Sequence, residues 1–410
     1  MSARVFTSTA RPSRALWVVI AAGVGLRVVL IVLGGPPERF EYDQMARNVL
    51  AGQGYTHEHL GTIYRSFYSG IPYMALTIAT YAIAPDGPFA LLVVQALVSA
   101  ALALVVFGVA RRLAGEGAAL LAAALALAHP AFVYYDTSKL HPLGFDALAI
   151  AGAVLLLLRV TERPGAARAV GAGAVTGAAI LQRGSVGLFF LFSLWWLARS
   201  LRAHPHRAGI VATYALGAAL VVSPWVARNY AVHGVLLLES TMPQQFWKGN
   251  AAHSNGSGYL PSGRTLFEAA PQRLVDEWAR RDEMGQYRLF RQEGLADVRR
   301  QPGRFATLLL RKLVYFWSFA PQSGALYPRT YLWLYLAVYL AMLAAASAGV
   351  VTRLRSRQVP DGLVLILLLF AALSIVHAVF FVEMRHRWAI EPMLLVLAAA
   401  GPASKLGMNR

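Results

Sequence analysis

Cysteine is absent from the 410 residues, which excludes a disulfide framework, thiol chemistry and a Cys-ligated metal site. Charge is scarce: 14% of residues are Asp, Glu, Lys or Arg, against about a quarter in a soluble domain. With 57% apolar residues, this excludes a soluble enzyme, a disordered tail and a coiled coil, and points to a polytopic membrane protein. Also missing are a P-loop, a Gly-x-Gly-x-x-Gly fingerprint, and the His-Glu-x-x-His and Gly-x-Ser-x-Gly patterns. Acids are the rarer charge, 20 against 38 Lys and Arg, for a formal net charge of +18. Whether that excess serves nucleic acid or topology depends on where it sits.

Apolar runs near the ~20 residues a bilayer requires cover 15–34, 88–113, 117–133, 143–159, 167–181, 186–197, 209–226, 331–351, 362–382 and 388–400. Two weaker runs, 70–84 and 305–319, are undecided by hydropathy alone. Lys and Arg accumulate in short cytoplasmic loops. Basic clusters stand at Arg4/Arg11/Arg14, Arg111/Arg112, Arg159/Arg163/Arg168, Arg199/Arg202/Arg207, Arg353/Arg355/Arg357 and Lys405/Arg410. Ten spans, with both weak runs lying on the outer surface, put all six clusters inside. The basic excess is then topological, and no nucleic-acid partner is expected. The first apolar segment is followed by Gly-Gly-Pro-Pro-Glu-Arg rather than a small-x-small cleavage site, so it is read as an uncleaved helix.

The expected organisation is residues 1–34 as cytoplasmic N-terminus and first span, and 35–87 as a first outer loop. Spans two to seven fill 88–226, a large outer loop with interfacial helices fills 227–330, and the C-terminal spans fill 331–410. Thirteen of the 20 acids fall in the two outer segments. A channel or transporter more often places its ionisable groups near the midplane on broken helices, so this one-sided placement favours an enzyme at the outer face.

Within the first loop, Tyr42, Met45, Ala46 and Val49 recur at helical spacing, with Gly52 placed to cap a helix of about three turns. Asp43 and Arg47 would share a face and form an ion pair as the structural alternative to a catalytic Asp43. Glu41, two residues earlier, points elsewhere if the helix has begun. Tyr64-Arg65-Ser66-Phe67-Tyr68 mixes aromatics with one Arg, as segments at headgroup level do. His57-Glu58-His59 spaces its histidines for a strand and has no third ligand, so no metal site is assigned. Arg27 lies deep in the first span and is costly there unless paired.

Four stretches together resemble a known family. They are Tyr42-Asp43…Ala46-Arg47-Asn48…Gly52-Gln53-Gly54-Tyr55, Pro224-Trp225-Val226-Ala227-Arg228-Asn229-Tyr230…Gly234, Phe246-Trp247-Lys248-Gly249-Asn250 and Arg385-His386-Arg387-Trp388-Ala389-Ile390-Glu391-Pro392. In this order they resemble bacterial glycosyltransferases of the GT-C fold, related to protein O-mannosyltransferases (glycosyltransferase family 39) and lipid A aminoarabinose transferase. Ala389 stands where the last pattern has its first Pro.

The resemblance implies an all-α integral membrane bundle of about ten transmembrane helices plus outer interfacial helices. It implies inverting transfer of a sugar from a polyprenyl-phosphate donor to a lipid, glycan or protein acceptor, on the extracytoplasmic face of the inner membrane, among membrane lipids. Asp43 is then the expected base, with Glu41 in reserve. Arg385 and Arg387 are the expected phosphate ligands, and Glu391 a pairing partner for one of them. Arg47, Tyr64, Arg65, Asp136, Lys139, Arg183, Arg228, Lys248 and Asn250 complete the expected substrate-binding set. Asp136 and Lys139 also read as a mutual ion pair. No cofactor is required, a divalent cation being the one candidate. A base suits the attacking hydroxyl and cations suit the departing phosphate. The rival readings are a transporter or flippase of lipid-linked sugars and a non-catalytic assembly protein that binds donor without turnover.

Overall fold

The computed structural model describes residues 13–84, 87–320, 323–357 and 359–401. The basic residues Arg4, Arg11, Lys405 and Arg410, and the acid Asp86, lie outside the described residues. The described chain is helical, with one two-stranded ribbon. Helix α1 (Arg14–Leu33) leads into the first polar segment, which holds α2 (Glu41–Leu50), strands β1 (His57–His59) and β2 (Thr62–Tyr64), and α3 (Ile71–Ile83). Then come α4 (Gly87–Ala114), α5 (Glu116–Ala128), α6 (Pro130–Ser138), α7 (Leu143–Glu162), α8 (Ala166–Gln182), α9 (Val186–Ser200) and α10 (Arg207–His233). The long polar segment carries α11 (Met242–Asn250), α12 (Gln272–Trp278), α13 (Glu283–Arg300), α14 (Pro302–Trp317) and α15 (Ser323–Leu326). The chain closes with α16 (Arg329–Arg355), α17 (Asp361–Val379), α18 (Met384–Trp388) and α19 (Glu391–Ala399).

Six of the described helices (α1, α4, α7, α10, α16, α17) are long and apolar enough to cross a membrane. The pair α5–α6, bent by 44°, passes as a seventh; the break precedes Pro130, which cannot donate the helical hydrogen bond. Length and composition thus support six or seven crossings against the ten expected. Three expected spans are shorter: α8 has 17 residues, α9 has 15, and the last is cut into α18 and α19 where Pro392 opens a new helix. The weak runs fold as α3, of 13 residues, and α14, of 16. Exposed Val18, Val32, Leu220 and Trp333 stud the long helices, the surface expected of helices facing lipid.

Close approach of backbones sets the tightest packing, α8 against α10. A Cβ on Gly173 would stand 2.0 Å from the Tyr214 carbonyl oxygen, and one on Gly217 would stand 2.3 Å from that of Val170. Small residues at such contacts let apolar helices touch where no hydrophobic effect drives them together. One large core, from Leu16 on α1 to Leu397 on α19, runs through the bundle. Separate apolar clusters hold the two polar segments: Tyr42, Met45, Ala46, Tyr73 and Met74 in the first, Trp247, Leu266, Trp278 and Phe290 in the second.

The helices alternate in direction. One end carries the described basic residues Arg112, Arg199 and Arg353 and is tied by Arg112–Glu162 at 2.6 Å, Arg199–Asp361 at 3.1 Å and Arg353 to the Ala400 carbonyl at 3.0 Å. The two polar segments join the helices at the other end.

Candidate functional site

A cavity of about 400 Å³ opens at the end opposite the basic clusters. Glu41 and Tyr42 of α2 and Tyr68, Ser69 and Gly70 of the first polar segment form one wall. The start of α7 adds His141, Pro142 and Asp146, and the α8–α9 turn adds Gln182, Arg183, Gly184 and Ser185. Leu238 and Glu239 precede α11, whose Met242, Gln245 and Lys248 line the cavity at a spacing of three, one face of the helix. The end of α17 and the start of α18 close it with His377, Phe380, Phe381, Arg385 and His386.

Two backbone constraints bring these walls together. Gly70 adopts φ +36° with the Tyr42 ring against it; a Cβ there would lie 2.1 Å from the Tyr42 hydroxyl. Gly249 lets α11 lie on the chain after α17, where a Cβ would fall 1.6 Å from the Phe380 carbonyl oxygen. Neither position admits a side chain, so each glycine is a condition of the cavity's shape.

The charges on the walls divide into paired and unpaired. Arg183 donates to Asp146 at 2.8 Å, and Gln182 donates to the other carboxylate oxygen at 2.9 Å. Arg385 is paired with Glu383 at 2.8 Å, yet its side chain keeps 26% exposure toward the cavity. Lys248 has no carboxylate within ion-pair distance among the described residues. Its ammonium sits 4.8 Å from the Phe381 ring centre, and burial lowers its pKa below the ordinary lysine value. Glu41, at the first turn of α2, likewise has no cation within ion-pair distance among the described residues. Glu239 accepts from Gln245 at 3.0 Å and weakly from the Ser69 N–H at 3.4 Å; burial pushes its carboxyl up to about 7.

Of the expected site residues, Glu41, Arg183, Lys248 and Arg385 therefore line one cavity. Asp43 does not line it. Its carboxylate is held by Arg47 Nε and Nη2, each at 3.2 Å, by the Tyr81 hydroxyl at 2.6 Å and by Arg39 at 3.9 Å, turned toward α3. Glu41 and Asp43 are two residues apart on a helix, about 200° around its axis, so one faces the cavity and the other does not.

Arg387, the second expected phosphate ligand, lies away from the cavity. Wholly buried, it donates to Glu391 at 2.8 Å, Tyr335 at 2.7 Å, and the carbonyls of Phe316 at 2.6 Å and Ser318 at 2.8 Å. Four of its five N–H groups are taken up inside the bundle, and the side chain does not line the cavity. Asp136 and Lys139 do not pair with each other. Asp136 takes Arg27 at 2.8 Å inside the bundle, and Lys139 takes Glu38, because the end of α6 pairs with the chain before α2.

Asn250 accepts from Lys312 at 2.9 Å and donates to the Val379 carbonyl at 2.9 Å, a clamp behind α11. Arg228 donates to the Arg65 carbonyl at 2.6 Å and to Ser66 Oγ at 2.9 Å. The Arg65 N–H and the Tyr64 hydroxyl both bond to α13, through Glu283 and Gln286. These residues brace the two polar segments against each other outside the cavity.

Glu239, Gln245 and Tyr68 were not singled out from sequence. The one signal available was the i, i+3 spacing of Met242, Gln245 and Lys248. The His57–His59 segment is the strand its spacing indicates. Among the described residues no three His, Asp or Glu side chains converge on a metal position. A second depression, lined by Arg273, Asp276, Glu277, Arg280 and Arg281, has its charges largely satisfied internally, with Arg273 and Arg281 both on Glu277.

Residues 71–227 match the family model described as dolichyl-phosphate-mannose-protein mannosyltransferase. No curated protein sequence matches. Among solved structures, the chain is similar to the oligosaccharyltransferase AglB of Archaeoglobus fulgidus in complex with an inhibitory peptide and a dolichol-phosphate. The identity is 14%, the TM-score 0.55, and the match covers 94% of this chain and 50% of that one. The apo form of the Archaeoglobus fulgidus oligosaccharyltransferase gives 16%, 0.54, 94% and 50%. ArnT of Cupriavidus metallidurans bound to undecaprenyl phosphate gives 15%, 0.46, 95% and 78%. The chain spans about half the length of the oligosaccharyltransferases it matches. The fold is that of the GT-C membrane proteins.

Proposed function

We propose that this GT-C fold chain is a membrane glycosyltransferase that moves a sugar from a polyprenyl-phosphate donor to an acceptor hydroxyl, with Glu41 as general base. The observation that carries the reading is one cavity lined by an unpaired carboxylate, Glu41, and an unpaired ammonium, Lys248. A displacement at a sugar's anomeric carbon needs both. The carboxylate takes the proton from the attacking hydroxyl as the new C1–O bond forms. The bond from C1 to the phosphate oxygen breaks, and the electron pair leaves with the lipid phosphate, whose charge Lys248 and Arg385 neutralise. A single displacement inverts the anomeric carbon.

A cavity of ~400 Å³ is within the usual range for a small-molecule site, enough for a sugar phosphate while the lipid tail runs out between helices. The match to a dolichyl-phosphate-mannose family and the dolichol-phosphate bound to the archaeal relative support this donor chemistry. The extracytoplasmic face is supported by the basic clusters gathering at the bundle's other end. In this arrangement Asp43 anchors α2 through Arg47, Arg39 and Tyr81 and thereby orients Glu41.

The test uses purified protein and lipid-linked donors, with release of the carrier phosphate as readout. Glu41→Gln is expected to lower turnover by ~10²–10⁴, the usual worth of a general base, with lipid binding unchanged. Asp43→Asn is expected to retain measurable transfer. The opposite order of effects returns the base to Asp43. Binding of donor by the unaltered protein without any phosphate release would instead favour a transporter of lipid-linked sugars.

A further inference from the structure

Among the polar groups on the cavity wall that the mechanism leaves unused are Glu239 and Gln245. They sit before and on the cavity-facing side of α11, with Lys248 about one turn beyond Gln245. The Gln245 amide N–H₂ donates to Glu239 Oε1 at 3.0 Å and to Thr241 Oγ1 at 3.1 Å, so its orientation is fixed. Its carbonyl oxygen has no hydrogen-bond partner among the described residues. The other Glu239 oxygen receives only the long 3.4 Å contact from the Ser69 N–H. Both free oxygens belong to side chains that line the cavity.

We propose that Glu239 and Gln245 form a sugar-reading subsite, a hydrogen-bond donor beside an acceptor that together hold two hydroxyls of the transferred sugar. The inference rests on the transferase reading above. With its carboxyl protonated, Glu239 donates from the oxygen that Gln245 does not occupy, while the Gln245 carbonyl accepts from the second hydroxyl.

The groups facing Glu239 decide its protonation. From the first polar segment these are Tyr42, Tyr55 and Tyr68, all neutral phenols. From the α8–α9 turn it is Arg183, already committed to Asp146. The remaining titratable groups on the cavity walls are Glu41, Asp146, Lys248, His141, His377, Arg385 and His386, of which Asp146 is committed to Arg183 and Arg385 to Glu383. No cation is paired with Glu239 among the described residues, and burial holds its carboxyl at about 7, so it donates on the acid side of neutrality and loses that capacity above it.

The experiment measures binding of two probes to the full chain in nanodiscs: bare undecaprenyl phosphate and undecaprenyl-phosphate-linked hexoses and pentoses. Glu239→Leu and Gln245→Leu are each expected to weaken the best-bound sugar-linked lipid by about tenfold, the size of one lost hydrogen bond, with the bare lipid unaffected. Glu239→Gln imitates the protonated side chain. It is expected to keep near-normal affinity and to lose the decline that the unaltered protein shows for the sugar-linked lipid as pH rises from 6 to about 8.5. Equal losses for both lipids in the leucine variants overturn the subsite, as does a Glu239→Gln variant that keeps the alkaline decline. Failure of the unaltered protein to bind either lipid retires the transferase reading and this inference with it. Intact binding of both lipids by all variants retires this inference alone.

Discussion

Arg385 and Arg387 stand two residues apart in one short helix, and the fold assigns them opposite work. Replacing Arg387 with Ala removes a guanidinium that donates through three nitrogens to four acceptors, in a site with no measurable exposure. Glu391 would remain as a buried carboxylate with the Tyr335 hydroxyl at 2.6 Å and His129 2.8 Å away. Breaking a buried ion pair from one side costs about 3–5 kcal/mol. Arg387→Lys is informative as well. A single ammonium cannot reach Phe316, Ser318, Tyr335 and Glu391 at once, because the guanidinium approaches them along separate N–H directions. Losing one or two of these charged bonds, each worth ~1.5–3 kcal/mol, keeps the Lys variant well below the unaltered protein.

Arg385→Ala is expected to cost less stability than Arg387→Ala, since its side chain keeps 26% exposure and has one carboxylate partner, Glu383, and to weaken undecaprenyl-phosphate binding. The assay is thermal unfolding in detergent alongside lipid binding. Unaltered unfolding in Arg387→Ala together with lost lipid binding would refute this division of roles.

Further outcomes follow from packing and pairing in the bundle. Gly217→Val drives a branched side chain into the Val170 carbonyl, which a Cβ already meets at 2.3 Å; α8 and α10 must separate, and yield of folded protein in detergent should fall steeply. A surface glycine such as Gly171, with nothing within 4 Å of its Cβ, should accept Ala without loss. Arg27→Leu strands buried Asp136, at a cost of about 3–5 kcal/mol. Arg27→Leu/Asp136→Leu should recover most of that stability in thermal unfolding; a double variant no better than the single would show that the ion pair is not the unit of stability.

Much of the scaffold was legible in the sequence because it follows from local composition. Apolar runs and basic clusters gave the helical membrane bundle and the alternation that leaves its two ends unlike each other. The α2 helix, its Gly52 stop at φ +76° and its Asp43–Arg47 pair were legible from i, i+4 spacing. The lengths of α8, α9 and α19 were less so, since bending and interruption at Pro130 and Pro392 depend on what neighbouring helices allow. The candidate site was half legible: Lys248, Arg183 and Arg385 reach the cavity, whereas Asp136, Asn250 and Arg387 are consumed by structure.

Residue types and their periods determined by themselves that this chain would be helical, embedded and polar at one end. Only the tertiary structure decided which of two neighbouring charges serves the cavity. Residues two apart on a helix differ by about 200° in direction, and the partner that claims one of them comes from far along the chain. Tyr81 takes Asp43 from 38 positions away, and the Phe316 carbonyl takes Arg387 from 71. A polar group held by such distant partners is spent before any ligand arrives, and no local pattern records that.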